Sequence, residues 1–236
     1  VTQGNLNNHI GIPLTLLSIQ PSVHNIAVIE MGANHQGEIN SYCQYVQPDF
    51  GLITNVGLAH IEGFGGVEGV IKGKTELYRH ISPRGGKIFI QCNNQTLLSK
   101  AAEARLKAQH TITYGECEEA FCTGSVTGNT EFLQVLYNNK TIHTNLVGRY
   151  NFENVMSAIC IGKYFGIDDD NIVQAIEAYV PSNNRSQKIA WNTNHVILDA
   201  YNANPSSMSE ALKNFGHLLQ QQSATGVTIL GEMMEL

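Results

Sequence analysis

Three side chains stand where chemistry could gather. Glu30 closes the apolar run Ala27-Val28-Ile29-Glu30, His60 ends Thr54-Asn55-Val56-Gly57-Leu58-Ala59-His60, and Lys74 lies in Lys72-Gly73-Lys74-Thr75-Glu76. In parallel sheets ligands bind beyond the carboxyl ends of the strands. A carboxylate and an imidazole from neighbouring strand ends could therefore share one divalent cation, with oxygen ligands pointing to Mg2+ or Mn2+. The plainer alternative, in which Glu30 caps the following turn and His60 is a satisfied loop histidine, has the advantage on spacing alone. A lysine that is partly desolvated near a metal can lose its proton, and the neutral amine can then take up carbon dioxide as a carbamate. Composition does not decide whether Lys74 does so. For Lys72, with Glu68 and Glu76 four residues to either side, a solvated salt-bridge ladder is sufficient; Lys74 is two positions on and faces elsewhere. Gly73-Lys74-Thr75 also ends like a phosphate-cradling loop, but the first glycine of that motif would fall at Glu68, inside a helical pattern.

Amide side chains are the second unusual feature. The 23 Asn and 14 Gln outnumber the 34 charged residues, and four clusters concentrate them, the first three with glycine: 2–8, 31–38, 148–154 and 199–205. An amide donates and accepts without charge, which suits a purine edge, sugar hydroxyls or peptide bonds. Each cluster alone reads as turn and cap chemistry. Four in one chain shift the balance toward a polar, extended ligand.

Alternating β-branched runs and amphipathic stretches over the first 110 residues imply βαβ units and a mainly parallel sheet flanked by helices. Strands are expected at 26–30, 51–56 and 87–91, and helices at about 37–46, 66–81 and 95–108. Between 121 and 147 three strand-like runs, separated by turn formers such as Asn138-Asn139-Lys140, imply a small antiparallel meander. Helices follow at about 151–165 and 169–179, then the turn-rich Pro181-Ser182-Asn183-Asn184-Arg185-Ser186. Beyond that boundary a strand at 196–199, a helix at about 205–222 capped by Ser206 or Ser207 beside Pro205, and a strand at 227–230 begin a Rossmann-like layer.

The net charge of −6, with no basic run longer than two residues, excludes counterion-driven nucleic-acid binding. No apolar stretch approaches the roughly 20 residues of a membrane span. Cys43, Cys92, Cys117, Cys122 and Cys160 form no CxxC pair and are odd in number, so a reduced, cytoplasmic chain is expected. There is no signal peptide, and the first residue is Val, so a segment of a longer protein is expected.

The segments TQGNLNNHIGIP (2–13), EMGANHQGEI (30–39), NVGLAHIEG (55–63), KGKTE (72–76), GRYNFEN (148–154) and DAYNANP (199–205) together resemble the Mur ligase family, in the family's order and over nearly the whole chain. DAYNANP with GANHQGEI is similar to the dipeptide-adding branch. Relatives that add diaminopimelate, lysine or folate-linked glutamate carry DY-x-H-x-P or DGAHNP-type segments instead. The resemblance implies an ATP-dependent amide ligase of peptidoglycan precursor synthesis. It would join D-Ala-D-Ala to UDP-N-acetylmuramoyl-tripeptide through an acyl phosphate.

By the same resemblance Glu30 and His60 match magnesium ligands, and Lys74 matches a carbamylated lysine that helps hold a second magnesium. Asn151 and Asn154 match the adenine segment, Arg185 an arginine near the ATP phosphates, Asp199 the acid near the ribose, and Tyr201 and Asn202 the adjoining nucleotide loop. Asn7, Asn8, Asn34 and His35 match a region facing the UDP-muramoyl peptide. Residues 1–185 would be the central ATPase domain without its phosphate loop and 186–236 the start of the C-terminal domain, so this chain alone is expected to be inactive and monomeric. A non-catalytic nucleotide- or peptide-binding module is the alternative of another class. A folate-polyglutamate ligase relative is disfavoured by Asn202-Ala203-Asn204-Pro205.

Overall fold

The computed structural model describes residues 1–57, 60–128, 131–182, 184–201 and 203–232. Through residue 103 the elements are α1 (Gly11–Leu17), α2 (Glu38–Val46), β1 (Phe50–Leu52), α3 (Ile61–Phe64), α4 (Val67–Lys74), α5 (Glu76–Ile81), β2 (Lys87–Gln91) and α6 (Gln95–Glu103). Then come β3 (Thr111–Gly115), β4 (Cys122–Thr127), β5 (Phe132–Tyr137), β6 (Lys140–Val147), α7 (Phe152–Tyr164), α8 (Asp169–Ala178), β7 (Gln187–Trp191), β8 (Asn194–Leu198) and α9 (Pro205–Gln222). Strands β1 to β6 follow in chain order in a six-stranded sheet, and β7 and β8 form a separate antiparallel pair. β3 pairs β4 in parallel, whereas β4-β5 and β5-β6 are antiparallel. The α/β reading with its antiparallel meander is thus borne out.

Two compact units divide the chain, residues 1–88 with 96–111 and residues 89–95 with 112–236. In the first unit, α2, α4 and α5 bury Tyr42, Cys43, Val70, Leu77, Tyr78 and Ile81. β1 comes so close to α5 that a Cβ on Gly51 would stand 2.6 Å from Ile81 Cδ1 and 2.9 Å from Leu77 Cδ2. In the second unit Cys122, Val135, Tyr137, Ile142, Met156 and Ile159 form the core. Tyr137 pairs with Lys140 across a two-residue turn, and both turn residues, Asn138 and Asn139, hold positive φ, the type I′ signature. Asp169, at the start of α8, accepts from Tyr137 Oη and Asn138 Nδ2, each at 2.7 Å. The Asn145 amide donates to the Glu177 and Tyr179 carbonyls at the other end of α8. A single hairpin therefore supplies partners for both helix termini.

Several expectations are corrected. The helix expected at 66–81 is two helices broken at Thr75, whose hydroxyl donates back to the Ile71 carbonyl at 2.8 Å, a local bond that competes with the regular ladder and turns the chain directly after Lys74. The runs 26–30 and 227–230 form no strand. A strand needs a ladder partner, and 26–30 instead contributes single bonds such as Thr2 N–H to Val28 O at 3.1 Å, while Val227 and Ile229 are 85% and 95% exposed. α9 begins and ends as expected, but its N-cap is Asn204, not Ser206 or Ser207. Asn204 Oδ1 accepts from Ser207 N–H at 3.0 Å, and Ser207 Oγ reciprocates on Asn204 N–H at 3.2 Å, closing a capping box. α1, β3 and β7 were not foreseen. Cys92 and Cys117 are joined in a disulfide with Cα atoms 6.2 Å apart, so the fully reduced reading does not hold at this pair. Cys43, Cys122 and Cys160 are free and buried. Among the described residues no helix is long and apolar enough to cross a membrane.

Candidate active site

In the first unit the chain start is stitched to the segment around Glu30. Asn7 Nδ2 donates to Glu30 Oε1 at 2.8 Å, Glu30 N–H donates to Thr2 Oγ1 at 2.9 Å, and Gly32 N–H donates to Asn7 O at 2.8 Å. Glycine at 32 leaves room for the Asn7 amide that holds Glu30, because a Cβ there would lie 2.9 Å from Asn7 Cγ. Glu30 is exposed with one carboxylate oxygen engaged by Asn7. Asn8 Oδ1 is engaged at the turn leading into α1, where it accepts from Ile10 and Gly11 N–H at 3.1 and 3.0 Å.

Asn34 and His35 sit on a loop held by Glu38, whose Oε2 accepts both of their backbone N–H groups at 2.6 and 2.9 Å. Burial pushes the Glu38 carboxyl up, but those two donors and the charges of His35 and His9 outweigh it, leaving the carboxyl below its ordinary value. The same loop contacts the segment after His60. A Cβ on Gly63 would meet Asn34 O at 2.5 Å, and Gln36 Nε2 donates to Phe64 O at 2.9 Å. His60 adopts a left-handed backbone (φ 56°) at the start of α3. Lys74, in the last turn of α4, is half-buried, and its Nζ donates to the Asn55 carbonyl at 3.0 Å, on the loop that leads to His60. Burial holds its ammonium below the usual lysine range.

Lys72 is exposed, as expected, but Glu76 does not form its ladder. Glu76 is 9% exposed as a residue, and its carboxylate turns inward to the start of α2, where it accepts Gly37 N–H at 2.7 Å and Asn40 N–H at 2.9 Å. Among the described residues no group of three or more His, Cys, Asp or Glu side chains converges as a metal site. Glu30 offers a carboxylate and His60 an imidazole, while Lys74 reaches the loop before His60 through its bond to the Asn55 carbonyl; of the three side chains only Glu30 carries the oxygen ligands a hard cation prefers.

The remaining site residues lie in the second unit and cluster around Tyr150 and Ser186. Gly148 has φ 90°, and a Cβ there would stand 2.4 Å from the Tyr150 ring. Tyr150 and Ser186 share a short hydroxyl–hydroxyl bond, and Ser186 N–H donates to Asp199 Oδ1 at 3.2 Å. Ala200 N–H donates to Asn184 O at 2.8 Å, and the Arg185 guanidinium lies 3.9 Å above the Tyr201 ring centroid. Asn151 Nδ2 donates to Val147 O at 2.9 Å and Asn154 Nδ2 to Asn151 Oδ1 at 3.3 Å. Arg185, Asp199 and Tyr201 are thereby brought together by Ser186 and Asn184, while Asn151 and Asn154 lie along the adjoining segment. Asn202 lies outside the described residues. Glu38, Glu76, Tyr150 and Ser186 were not foreseen as site residues. Only Glu38, three and four residues beyond the backbone it holds, left a local spacing that could have shown it.

Residues 1–162 match the family model described as the Mur ligase middle domain, and the chain belongs to the Mur ligase family. It is 32% identical over 238 residues to the UDP-N-acetylmuramoyl-tripeptide--D-alanyl-D-alanine ligase of Bacillus subtilis (strain 168), a match that covers 100% of this chain and 50% of that protein. The protein of the same name from Escherichia coli (strain K12) is 34% identical over 239 residues, covering 100% of this chain and 52% of that protein. The chain thus spans about half the length of the curated relatives it matches. Among solved structures it is similar to MurF from Acinetobacter baumannii, with TM-score 0.77 and 31% identity over 92% of this chain and 48% of that one. MurF from Thermotoga maritima, solved in complex with ADP, shares the fold at TM-score 0.73 and 21% identity, over 92% of this chain and 50% of that one.

Proposed function

We propose that this chain is part of an ATP-dependent ligase that adds D-Ala-D-Ala to UDP-N-acetylmuramoyl-tripeptide, the two substrates that the names of its relatives join. The observation that carries the reading is Lys74, half-buried at the end of α4, with a depressed ammonium and its Nζ on the Asn55 carbonyl. A lysine so placed loses its proton more readily and can add carbon dioxide: the nitrogen lone pair forms the new C–N bond, one proton leaves, and a carboxylate results. Glu30, His60 and that carboxylate would hold magnesium, which when bound supplies positive charge beside the ATP phosphates.

Asn7 orients Glu30 by donating to one of its oxygens, so the other remains available to a cation. Glu38 and Glu76 fix the 34–40 backbone, presenting Asn34 and His35 toward the muramoyl peptide. In the second unit the Arg185–Tyr201 stack and the Asp199 carboxylate form the nucleotide end, with Asn151 and Asn154 toward adenine. Joining the two substrates requires the tripeptide carboxylate to take the γ-phosphoryl group and a neutral dipeptide amine to displace it, and positioned residues contribute chiefly by holding the reactants in line. We assign 1–185 to the central domain and 186–236 to the start of the C-terminal domain, in a cytoplasmic monomer.

The test is ADP release by the full-length protein. It should require both the muramoyl tripeptide and D-Ala-D-Ala, and turnover with a single amino acid but not the dipeptide sinks the assignment. Lys74→Ala should abolish turnover and be partly rescued by added short carboxylates; full activity without rescue removes the carbamate. Calorimetry of this chain with ATP and magnesium addresses the other class: micromolar binding supports a self-sufficient binding module, no binding a segment that needs the rest of its protein.

A further inference from the structure

We propose that Cys92 and Cys117 are a reversible redox modification site, paired by exchange with a low-molecular-weight disulfide, and that the bridge sets how firmly residues 148–154 are held. Cys92 follows β2 and Cys117 follows β3, 25 residues apart, and their Cα separation of 6.2 Å lies within the range a disulfide spans. Bonds that do not involve the bridge already fix both residues. Cys92 N–H donates to Tyr114 O at 2.8 Å, and Cys117 O accepts from Ala120 N–H at 3.1 Å and Thr123 Oγ1 at 3.0 Å. Gly115, at φ 135°, leaves room for the sulfur, because a Cβ there would stand 3.0 Å from Cys92 Sγ. The two thiols therefore stay adjacent when reduced. They are half-buried, whereas Cys43, Cys122 and Cys160 are buried, so a small co-reactant reaches this pair first. Disulfides in reducing compartments are usually transient or redox-sensing, and no step of the ligase reading uses either cysteine.

The link to residues 148–154 runs through Glu116, between Gly115 and Cys117. Its carboxylate accepts from Arg149 Nη2 at 3.1 and 3.3 Å. Arg149 opens the 3-10 turn Arg149–Asn151 that leads into α7. With the bridge closed, the backbone carrying Glu116 has one covalent restraint beyond those hydrogen bonds; with it open, the hydrogen bonds alone hold it.

The exchange balances as follows. One cysteine thiolate attacks a sulfur of the small disulfide, forming a mixed disulfide and releasing one thiolate. The second cysteine then attacks the protein sulfur, closing the bridge and releasing the other. Two electrons pass to the small disulfide, whose two sulfurs leave as thiols carrying the two protons lost by the cysteines.

The experiment incubates the full chain with dithiothreitol or with glutathione disulfide, alkylates it in the native state with iodoacetamide, maps the peptides by mass, and measures amide hydrogen exchange over 148–154. In the reduced protein Cys92 and Cys117 should be alkylated and the three buried cysteines protected. After glutathione disulfide the Cys92 and Cys117 peptides should be linked and neither alkylated, with full reversal by dithiothreitol. Because the exposed Glu116–Arg149 pair persists in both states and only its restraint changes, exchange over 148–154 should slow on oxidation by about twofold, with roughly fivefold, the full worth of such a pair, as the ceiling. Glu116→Gln should abolish that difference while leaving the bridge intact, and Cys92→Ser should abolish both. Failure of the two cysteines to link, a stable mixed disulfide with glutathione, or equal exchange in the two states overturns the proposal. None of these readouts depends on nucleotide binding or ligase turnover.

Discussion

Replacing Glu76 by Gln isolates one buried carboxylate. The N-cap of α2 is Gly37, in a left-handed conformation and without a side chain to cap the helix, and Glu76 supplies from α5 what that position lacks. Both oxygens are used, at 2.7 Å on Gly37 N–H and 2.9 Å on Asn40 N–H, in surroundings that leave the residue 9% exposed. Glutamine keeps one acceptor but turns an amide NH2 toward the other backbone donor. The loss of one hydrogen bond to a charged group is worth about 1.5 to 3 kcal/mol. Removing the negative charge from a helix N-terminus costs a further 0.3 to 1 kcal/mol or so. The sum, roughly 2 to 4 kcal/mol, should appear in urea denaturation followed by circular dichroism as a lower midpoint at unchanged slope for the transition of the first unit. Glu76→Ala, which loses both acceptors and leaves a void, should be worse still. A Glu76→Gln shift worth less than about 0.5 kcal/mol, the level of an ordinary surface substitution, would refute the capping role and return Glu76 to a solvated ladder.

Three further outcomes follow from the geometry. Because Glu38 is held below its ordinary value by two backbone donors, its contribution to stability should be fully present above about pH 4.5 and fade as pH falls through the lower folded value; Glu38→Gln should flatten that acid limb of the unfolding midpoint against pH. Gly148→Ala places a Cβ 2.4 Å from the Tyr150 ring at φ 90°, so strain of about 1 to 3 kcal/mol adds to overpacking of similar size, and a melting temperature within a degree of the parent would contradict the close approach. Asn204→Ala should lower the stability of α9 by about 1 kcal/mol, read as faster amide exchange over its first turn, while Ser206→Ala should leave that turn unchanged.

Elements whose ends are set by neighbouring residues were readable from the sequence. Pro205 with the serines after it placed α9 at 205–222, and Asn138-Asn139 placed the β5–β6 turn. Even there the capping residue was misassigned, because Ser206, Ser207 and Asn204 all have suitable side chains and only the backbone decides which precedes the first helical residue. The runs 26–30 and 227–230 have strand composition without strand structure, since β-propensity measures fit to a neighbour and not an intrinsic state. Of the candidate site, Lys74 and Glu30 were readable as residues, but the partners that hold them or their surroundings, Asn55, Asn7 and Glu76, came from elsewhere along the chain.

The amide excess connects these observations. A chain with 14% charged residues has few carboxylates or ammonium groups for helix ends and turns, and asparagine takes up that work. Asn204 caps α9, Asn8 accepts the first N–H of α1, Asn138, Asn139, Asn184 and Asn192 occupy left-handed turns, and Asn145 covers the last carbonyls of α8. These uses are mostly local, so they leave signatures a few residues long. Some of the charges that remain act across long separations, Glu76 reaching back 36 and 39 residues and Glu116 pairing with Arg149 33 residues on. Long-range carboxylates leave no periodicity, and for that reason the polar positions hardest to foresee in this chain are the ones whose substitution should matter most.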